Sequence, residues 1–112
     1  MTAGIYAIRY GLDVIVLEKN EISGQIALTD IVENYPGFAS IKGMELMERF
    51  KEHARDAGVT VQSSEVLNIK NKGKTKIVST DSGELETKSV IIATGANPRH
   101  LGIPGEEEFT GR

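Results

Sequence analysis

The pattern of apolar and polar positions divides the first part of the chain into a helix and a strand. Small and apolar residues recur at helical spacing over residues 2–10, and Gly11 follows as a left-handed stop, so we predict a short helix there. Residues 14–17 form a continuous apolar run rich in β-branched side chains, which is typical of a strand covered on both faces of a parallel sheet. Because parallel strands are normally joined through a crossover, this order predicts an earlier strand beside residues 14–17; a domain that simply begins with a helix is the alternative.

A longer amphipathic helix follows. We predict Ser40 as its N-cap and Gly58 as its end, because apolar side chains recur every three or four positions between them. This apolar stripe places Met44 and Met47 in the core. His53 lies among charged residues on the polar side, so we interpret it as a solvated residue rather than a catalytic or metal-binding one.

Beyond this helix, apolar and polar residues alternate along the chain. Residues 59–62 predict a short strand, and residues 65–70, 75–80 and 84–88 alternate as half-exposed strands separated by turn-rich segments. We therefore predict a three-stranded antiparallel β-meander. A last apolar run, residues 90–92, predicts a second buried strand, and the acidic tail after it is interpreted as a solvated loop.

Residues that could bind a ligand follow the two predicted buried strands. Glu18 ends the first strand, where a carboxylate of a dinucleotide-binding fold accepts hydrogen bonds from ribose hydroxyls; a solvated strand end is the alternative. Small side chains follow the second strand and let a ligand approach the backbone closely. These small residues are Ala93, Thr94, Gly95 and Ala96.

The segment between the first strand and the long helix, residues 20–38, has little regular periodicity. Loops of this length inside a compact domain are more often functional than accidental. Gln25 and Asn34 carry amide groups, which can bond the polar edge of a heterocycle without adding charge. As isolated polar loop residues, Gln25 and Asn34 by themselves favour plain solvated positions.

Composition narrows the class of protein. A chain of 112 residues with 39% apolar and 26% charged residues is typical of one soluble globular domain, and its net charge of −3 offers no basic surface for nucleic acid. Without cysteine, the chain carries no redox dithiol, thiolate nucleophile or cysteine-bound metal. The apolar runs fall far short of the ~20 residues of a membrane span, and residues 1–4 do not resemble a leader, so we expect a cytoplasmic location.

The ordered set of motifs resembles the flavin-binding domain of bacterial and archaeal thioredoxin reductases. The motifs are Ala-Gly-Ile-Tyr-Ala (3–7), Val-Ile-Val-Leu-Glu-Lys (14–19), Gly-Gln (24–25), Val-Glu-Asn-Tyr-Pro-Gly-Phe (32–38), Ala-Thr-Gly-Ala (93–96) and Leu-Gly-Ile-Pro-Gly-Glu (101–106). Glu-Asn-Tyr-Pro-Gly is the most specific of them, whereas Ala-Thr-Gly-Ala fits many flavoprotein disulfide reductases. The resemblance implies an α/β fold, namely a partial Rossmann-like FAD-binding domain with parallel strands, two helices and an inserted three-stranded antiparallel β-meander.

The resemblance also implies roles for individual residues at the adenosine end of FAD. Glu18 would hold the adenosine ribose, and Val66 would offer its backbone to the adenine. Thr94 and Gly95, next to Ala93, would pack near the adenosine and the diphosphate.

At the flavin end, the resemblance implies that Gly24 and Gln25 run beside the isoalloxazine and the adjoining chain. Asn34 would bond a polar group on the flavin side. Ser23 stands where the family usually has glycine, a modest change that would tighten the backbone of this loop. No residue of this chain is assigned a catalytic or metal-binding role.

In such enzymes electrons pass from NADPH through FAD to a Cys-x-x-Cys pair and on to thioredoxin or a similar disulfide protein, and the subunits usually form homodimers. The resemblance implies that residues 1–112 are part of the FAD domain. The first strand and its Gly-x-Gly-x-x-Gly turn would precede Met1, and the NADPH domain with its dithiol would follow Arg112. We therefore expect residues 1–112 alone to be inactive and to bind FAD poorly. The alternatives are a non-catalytic flavin or adenine-nucleotide-binding module and an inactive truncated fragment.

Overall fold

Three small sheets and three α-helices make up the part of the chain that the computed structural model describes, residues 1–19, 24–96 and 99–109. In chain order the elements are α1 (Thr2–Arg9), β1 (Ile15–Glu18), a 3₁₀ turn (Gln25–Leu28), β2 (Ile31–Val32), β3 (Ile41–Lys42), α2 (Gly43–Asp56), β4 (Thr60–Ser63), β5 (Val66–Lys72), β6 (Thr75–Thr80), β7 (Gly83–Thr87) and α3 (Glu106–Phe109). The prediction about Ser23 lies outside the described residues.

A parallel pair of strands forms the centre of the fold. β1 and β4 pair in parallel from Ile15 opposite Thr60 to Glu18 opposite Ser63, and α2 lies between them in the chain as the crossover. One residue from each of three segments forms the core cluster: Ile5, Ala54 and Val59. The parallel arrangement is confirmed, but β1 is only half-buried and Ile15 is 39% exposed, so the prediction of a strand covered on both faces is wrong.

The long helix begins later than the sequence predicts. Ser40 is not its N-cap, because the next two residues, Ile41–Lys42, are extended and pair antiparallel with Ile31–Val32. The buried stripe of α2 runs through Gly43, Leu46 and Ala54, so Met44 lies beside the stripe and is 46% exposed. The prediction of Met44 as a core residue is therefore wrong.

The predicted meander is confirmed. β5, β6 and β7 pair antiparallel in chain order, with an irregularity in register between Val66 and Asn68. Ile77 and Val78 of the central strand are buried, whereas every residue of β5 is exposed. The alternating sequence pattern indicates this sheet well because its strands are neighbours in the chain and need only tight turns to pair.

The second buried strand, predicted over residues 90–92, is wrong. Within the described part of the chain these residues form no ladder with another segment, and Ile91 and Ile92 are 75% and 73% exposed. An apolar run becomes a buried strand only when another segment supplies its hydrogen-bonding neighbour and covers its faces.

The tail contains a short helix, α3, that the sequence pattern did not predict. The Glu106 carboxylate accepts the backbone N–H groups of Leu101 at 2.8 Å and Gly102 at 2.7 Å, and these bonds lower the pKa of Glu106. The tail lines an open hollow of about 450 Å³ that includes none of the predicted site residues. Among the described helices, none has the length and apolar character needed to cross a membrane.

Candidate functional site

The carboxyl end of β1 lies against the segment that leads into the meander. Because β1 and β4 run parallel, Glu18 and Ser63 end at the same edge of the sheet. The backbone N–H of Ser64 donates to the Glu18 carbonyl at 2.9 Å, and Lys19 Nζ lies 2.7 Å from Glu65 Oε1. The half-buried Glu18 is therefore fixed at a sheet edge, which is where α/β sheets bind nucleotides.

This contact also brings Val66 to the same edge. Val66 begins β5, two positions after Ser64, and its side chain is 42% exposed. Its backbone pairs with Thr80 of β6 in the meander. We call Glu18, Ser64, Glu65 and Val66 the strand-end group.

A hydrogen-bond network holds the strand-end group against the turn between β6 and β7. Ser64 is 3% exposed, and its Oγ donates to Asp81 Oδ1 at 2.5 Å. The Glu65 N–H reaches the same carboxylate oxygen at 3.2 Å, and the Asp81 N–H donates to the Glu65 carbonyl at 3.1 Å. Ser82 Oγ lies 2.9 Å from Ser64 Oγ and 3.1 Å from Thr80 Oγ1. We call Ser64, Thr80, Asp81 and Ser82 the Ser64–Asp81 cluster.

Sequence reasoning identified the turn of this cluster but not the cluster itself. The pattern Asp81-Ser82-Gly83 indicates a hairpin turn, and Gly83 has the expected positive φ of 137°. The signal in the sequence was the pair Ser63-Ser64 before β5, because a polar side chain that becomes buried needs a hydrogen-bond partner.

The ionised form of Asp81 is stabilised in the folded chain. The pKa of Asp81 lies below its ordinary value of 3.8, mainly because the Ser64 hydroxyl donates to the carboxylate and next because the Glu65 N–H does. A lowered folded pKa adds stability that is complete above the unfolded pKa and is lost as pH falls through the folded one.

We therefore expect the stability advantage of wild type over Asp81→Asn to be present at neutral pH and to shrink as pH falls below 3.8. Urea unfolding followed by circular dichroism across this pH range measures the advantage. The matched control is Asp13→Asn, which removes the same charge from an exposed aspartate near the amino end of β1. A constant difference between wild type and Asp81→Asn at all pH values would contradict the prediction.

A second group of predicted residues is joined by one long-range hydrogen bond. Gln25 Nε2 donates to the Ala96 carbonyl, so the 3₁₀ turn meets the small-residue segment. Gly24 and Gly95 have φ of 104° and 72°, which explains glycine at both positions, and a Cβ at Gly95 would meet nothing within 4 Å. We call Gly24, Gln25, Gly95 and Ala96 the loop group.

The remaining predicted residues are exposed. Ala93 and Thr94 precede Gly95 in a segment without regular secondary structure, and Asn34 lies in the loop between β2 and β3. That loop is anchored on α2 by Tyr35, whose ring lies 5.3 Å from the ring of Phe50, centroid to centroid. The contacts named here connect residues within each group, and none of them joins Glu18 to Thr94.

The two groups suit different parts of an extended dinucleotide. The strand-end group offers a carboxylate, which can accept hydrogen bonds from ribose hydroxyls, and the backbone of an edge strand. The loop group offers glycine backbone open to close approach and a neutral amide. These features fit the adenosine end and the remaining part of FAD, respectively.

Comparison with known proteins identifies the family. The family model for pyridine nucleotide-disulphide oxidoreductase matches residues 1–112. The whole chain is 44% identical to a 34.2 kDa protein in the rubredoxin operon of Clostridium pasteurianum, covering 37% of that protein. It is 39% identical to thioredoxin reductase of Bacillus subtilis, covering 35% of it.

The fold agrees with this comparison. The crystal structure of Lactococcus lactis thioredoxin reductase (FR conformation) matches 99% of this chain with a TM-score of 0.88 and 41% identity, over 37% of its own length. The chain belongs to the pyridine nucleotide-disulphide oxidoreductase family. Within that family it is similar to thioredoxin reductases, and it spans little more than a third of their length.

Proposed function

We propose that residues 1–112 form the FAD-binding part of a thioredoxin-reductase-like flavoprotein that passes electrons from NADPH through FAD to a dithiol or disulfide. The observation that carries the proposal is the hydrogen bond from Ser64 N–H to the Glu18 carbonyl, which brings Glu18 and Val66 to one edge of the sheet. FAD, when bound, supplies the two-electron redox chemistry. The residues of this chain bind and orient the cofactor.

At the adenosine end, Glu18 accepts hydrogen bonds from the ribose hydroxyls and Val66 presents its backbone to the adenine. Ala93, Thr94 and Gly95 lie near the adenosine and diphosphate in this proposal. It is supported by their small side chains and by the open space beside Gly95.

At the flavin end, we place Gly24 and Gln25 beside the isoalloxazine and its adjoining chain, and Asn34 on a polar group of the flavin. The support is the Gln25–Ala96 hydrogen bond, which joins this loop to the small-residue segment. The anchoring of the neighbouring Tyr35 on Phe50 favours a defined position for Asn34.

We further propose that the parallel sheet is completed by a strand from outside residues 1–112, together with its glycine-rich turn. In the described part of the chain, β1 pairs only with β4, and the apolar residues Ile91 and Ile92 remain exposed. A strand between β1 and residues 90–92 would pair with β1 and cover that apolar surface. The NADPH-binding domain and the dithiol would also lie outside these residues.

The partners of the whole protein follow the same proposal. Thioredoxin or a similar disulfide protein is the proposed electron acceptor, NADPH the proposed donor and a homodimer the proposed assembly, supported by the similarity to thioredoxin reductases. The cytoplasmic location rests on the sequence alone and stays a prediction.

The site is tested by titrating ADP, a probe of the adenosine end, into the chain labelled with ¹⁵N and following the backbone amides by NMR, which detects weak binding. We expect saturable shifts at Glu18 and Val66. Glu18→Gln should weaken ADP binding about 10-fold, because hydrogen bonds to a charged group contribute about 1.5–3 kcal/mol each. The matched control is Glu52→Gln on the exposed face of α2, which should bind as wild type does.

The other outcomes separate the alternatives. Tight FAD binding by the chain, with no oxidation of NADPH, favours a non-catalytic nucleotide-binding module. Absence of ADP and FAD binding, together with non-cooperative thermal unfolding, favours an inactive fragment. Equal ADP affinities for wild type and Glu18→Gln would overturn the assigned role of Glu18.

A further inference from the structure

The Ser64–Asp81 cluster joins three segments that are distant in the chain. Ser64 follows β4, Asp81 lies in the turn after β6, and Glu18 ends β1. Ser64 contacts the other two, through its backbone N–H to Glu18 and through its side chain to Asp81. Because Ser64 is 3% exposed, its hydroxyl requires a hydrogen-bond partner from the protein, and the Asp81 carboxylate supplies one.

The geometry holds the backbone of Glu65 from both sides. Asp81 Oδ1 accepts the Glu65 N–H at 3.2 Å, and the Asp81 N–H donates to the Glu65 carbonyl at 3.1 Å. Glu65 is the residue immediately before Val66. Asp81 therefore restrains the residue that leads into Val66, in addition to the pairing of Val66 with Thr80.

The same cluster sets the position of Glu18 relative to Val66. The Ser64 N–H donates a hydrogen bond to the Glu18 carbonyl, and Ser64 Oγ donates one to Asp81 Oδ1 at 2.5 Å. The exposed ion pair between Lys19 and Glu65 spans the same junction, but surface pairs of this kind contribute little. The hydrogen bonds that the Asp81 carboxylate accepts from Ser64 Oγ at 2.5 Å and from Glu65 N–H at 3.2 Å are the stronger restraint, since bonds to an ionised acceptor are about twice as strong as neutral ones.

We propose that Ser64 and Asp81 are positioning residues for the adenosine end of the nucleotide. Asp81 acts through the Glu65 backbone on Val66, and Ser64 acts on Glu18. This inference rests on the proposed function, because it assigns Glu18 and Val66 to the nucleotide. It extends the binding site to a turn that contacts the nucleotide only through other residues.

The experiment compares ADP affinity and amide shifts in ¹⁵N-labelled wild type, Asp81→Ala and Asp81→Asn. Asp81→Ala removes the carboxylate that accepts hydrogen bonds from Ser64 Oγ and Glu65 N–H, and it should weaken ADP binding about 10-fold. The Glu65 and Val66 amide signals of this variant should differ from those of wild type before ADP is added. Asp81→Asn keeps an oxygen that can accept both bonds, so it should remain within about 3-fold of wild type. This rescue by the amide distinguishes a positioning role from a general loss of stability.

The control is Asp13→Ala, which removes the same charge near the opposite end of β1 and should leave ADP affinity unchanged. If Asp81→Ala does not fold, Ser64→Ala replaces it. That substitution removes one donor to Asp81 and leaves the turn backbone in place, and it should weaken ADP binding at least 3-fold.

The outcomes distinguish this inference from the proposed function. If wild type shows no ADP-dependent shifts at Glu18 and Val66, the proposed function fails and this inference fails with it. If wild type binds ADP and the alanine variants bind it equally well, only the positioning role is overturned. Equal losses in Asp81→Ala and Asp81→Asn would also overturn it, because the effect would then follow the charge rather than the hydrogen-bond acceptor.

Discussion

Replacing Gly43 by alanine should lower the free energy of unfolding by about 3 kcal/mol, at the upper end of the range for overpacked positions. A Cβ at this position would overlap the backbone carbonyl oxygens of Ile26 and Thr29. The Gly43 N–H also donates to the Thr29 carbonyl at 3.1 Å, so separating the two segments would stretch that bond as well. The higher helix propensity of alanine, worth at most about 1 kcal/mol, is too small to compensate.

Urea unfolding followed by circular dichroism measures this loss. The matched control is Gly73→Ala, where the φ of 75° disfavours alanine but the space around the Cβ is empty. We expect that control to lose about 1–2 kcal/mol, the strain of a left-handed residue alone. A Gly43→Ala variant no less stable than Gly73→Ala would show that the 3₁₀ turn and α2 separate without penalty, contrary to the prediction.

The Gly43 contact also has a consequence for the candidate site. The 3₁₀ turn Gln25–Leu28 begins with the residue that bonds Ala96, and Gly43 is the first residue of α2. Close approach of the helix end to Ile26 and Thr29 therefore supports the position of Gln25. Only glycine permits that approach, because it lacks a Cβ.

Replacing Leu46 by alanine should lower the free energy of unfolding by about 3 kcal/mol. Leu46 is 0% exposed and is the largest fully buried side chain among the described residues. Its truncation removes apolar contacts and leaves a cavity between α2 and the elements that pack on it, and surrounding atoms relax only in part.

The matched control is Met44→Ala on the same helix. Met44 is 46% exposed, so its truncation should reduce stability by less than about 1 kcal/mol. Chemical denaturation of the two variants under identical conditions gives the comparison. Equal losses would mean that the stripe through Gly43, Leu46 and Ala54 is not the buried face of α2.

Residues close together in the chain account for most of what was predicted correctly. The helical spacing of residues 2–10 predicted α1, and the alternating pattern after residue 64 predicted β5, β6 and β7. The stops at Gly11 and Gly58 have the positive φ values of 72° and 91° that were expected of them. These features depend on backbone geometry and on side-chain spacing within a few residues, which the sequence displays directly.

Residues distant in the chain account for what was predicted wrongly or missed. Ser40 is not a cap because Ile31–Val32 pairs with Ile41–Lys42, and Met44 is exposed because packing selects the adjacent stripe through Leu46. Residues 90–92 were predicted as buried from their apolar character, but burial requires a neighbouring strand and a covering layer.

The candidate site likewise combines local features, which the sequence predicts, with long-range contacts, which it does not. Periodicity and residue type are local properties, so they were enough to predict the α/β class, the meander and the place of Glu18 at a strand end. The hydrogen bonds from Ser64 to Asp81, across 17 residues, and from Gln25 to Ala96, across 71, are visible only in the folded chain. Such pairs form because the packing of helices and strands brings their segments together, and no local pattern encodes which two segments will meet.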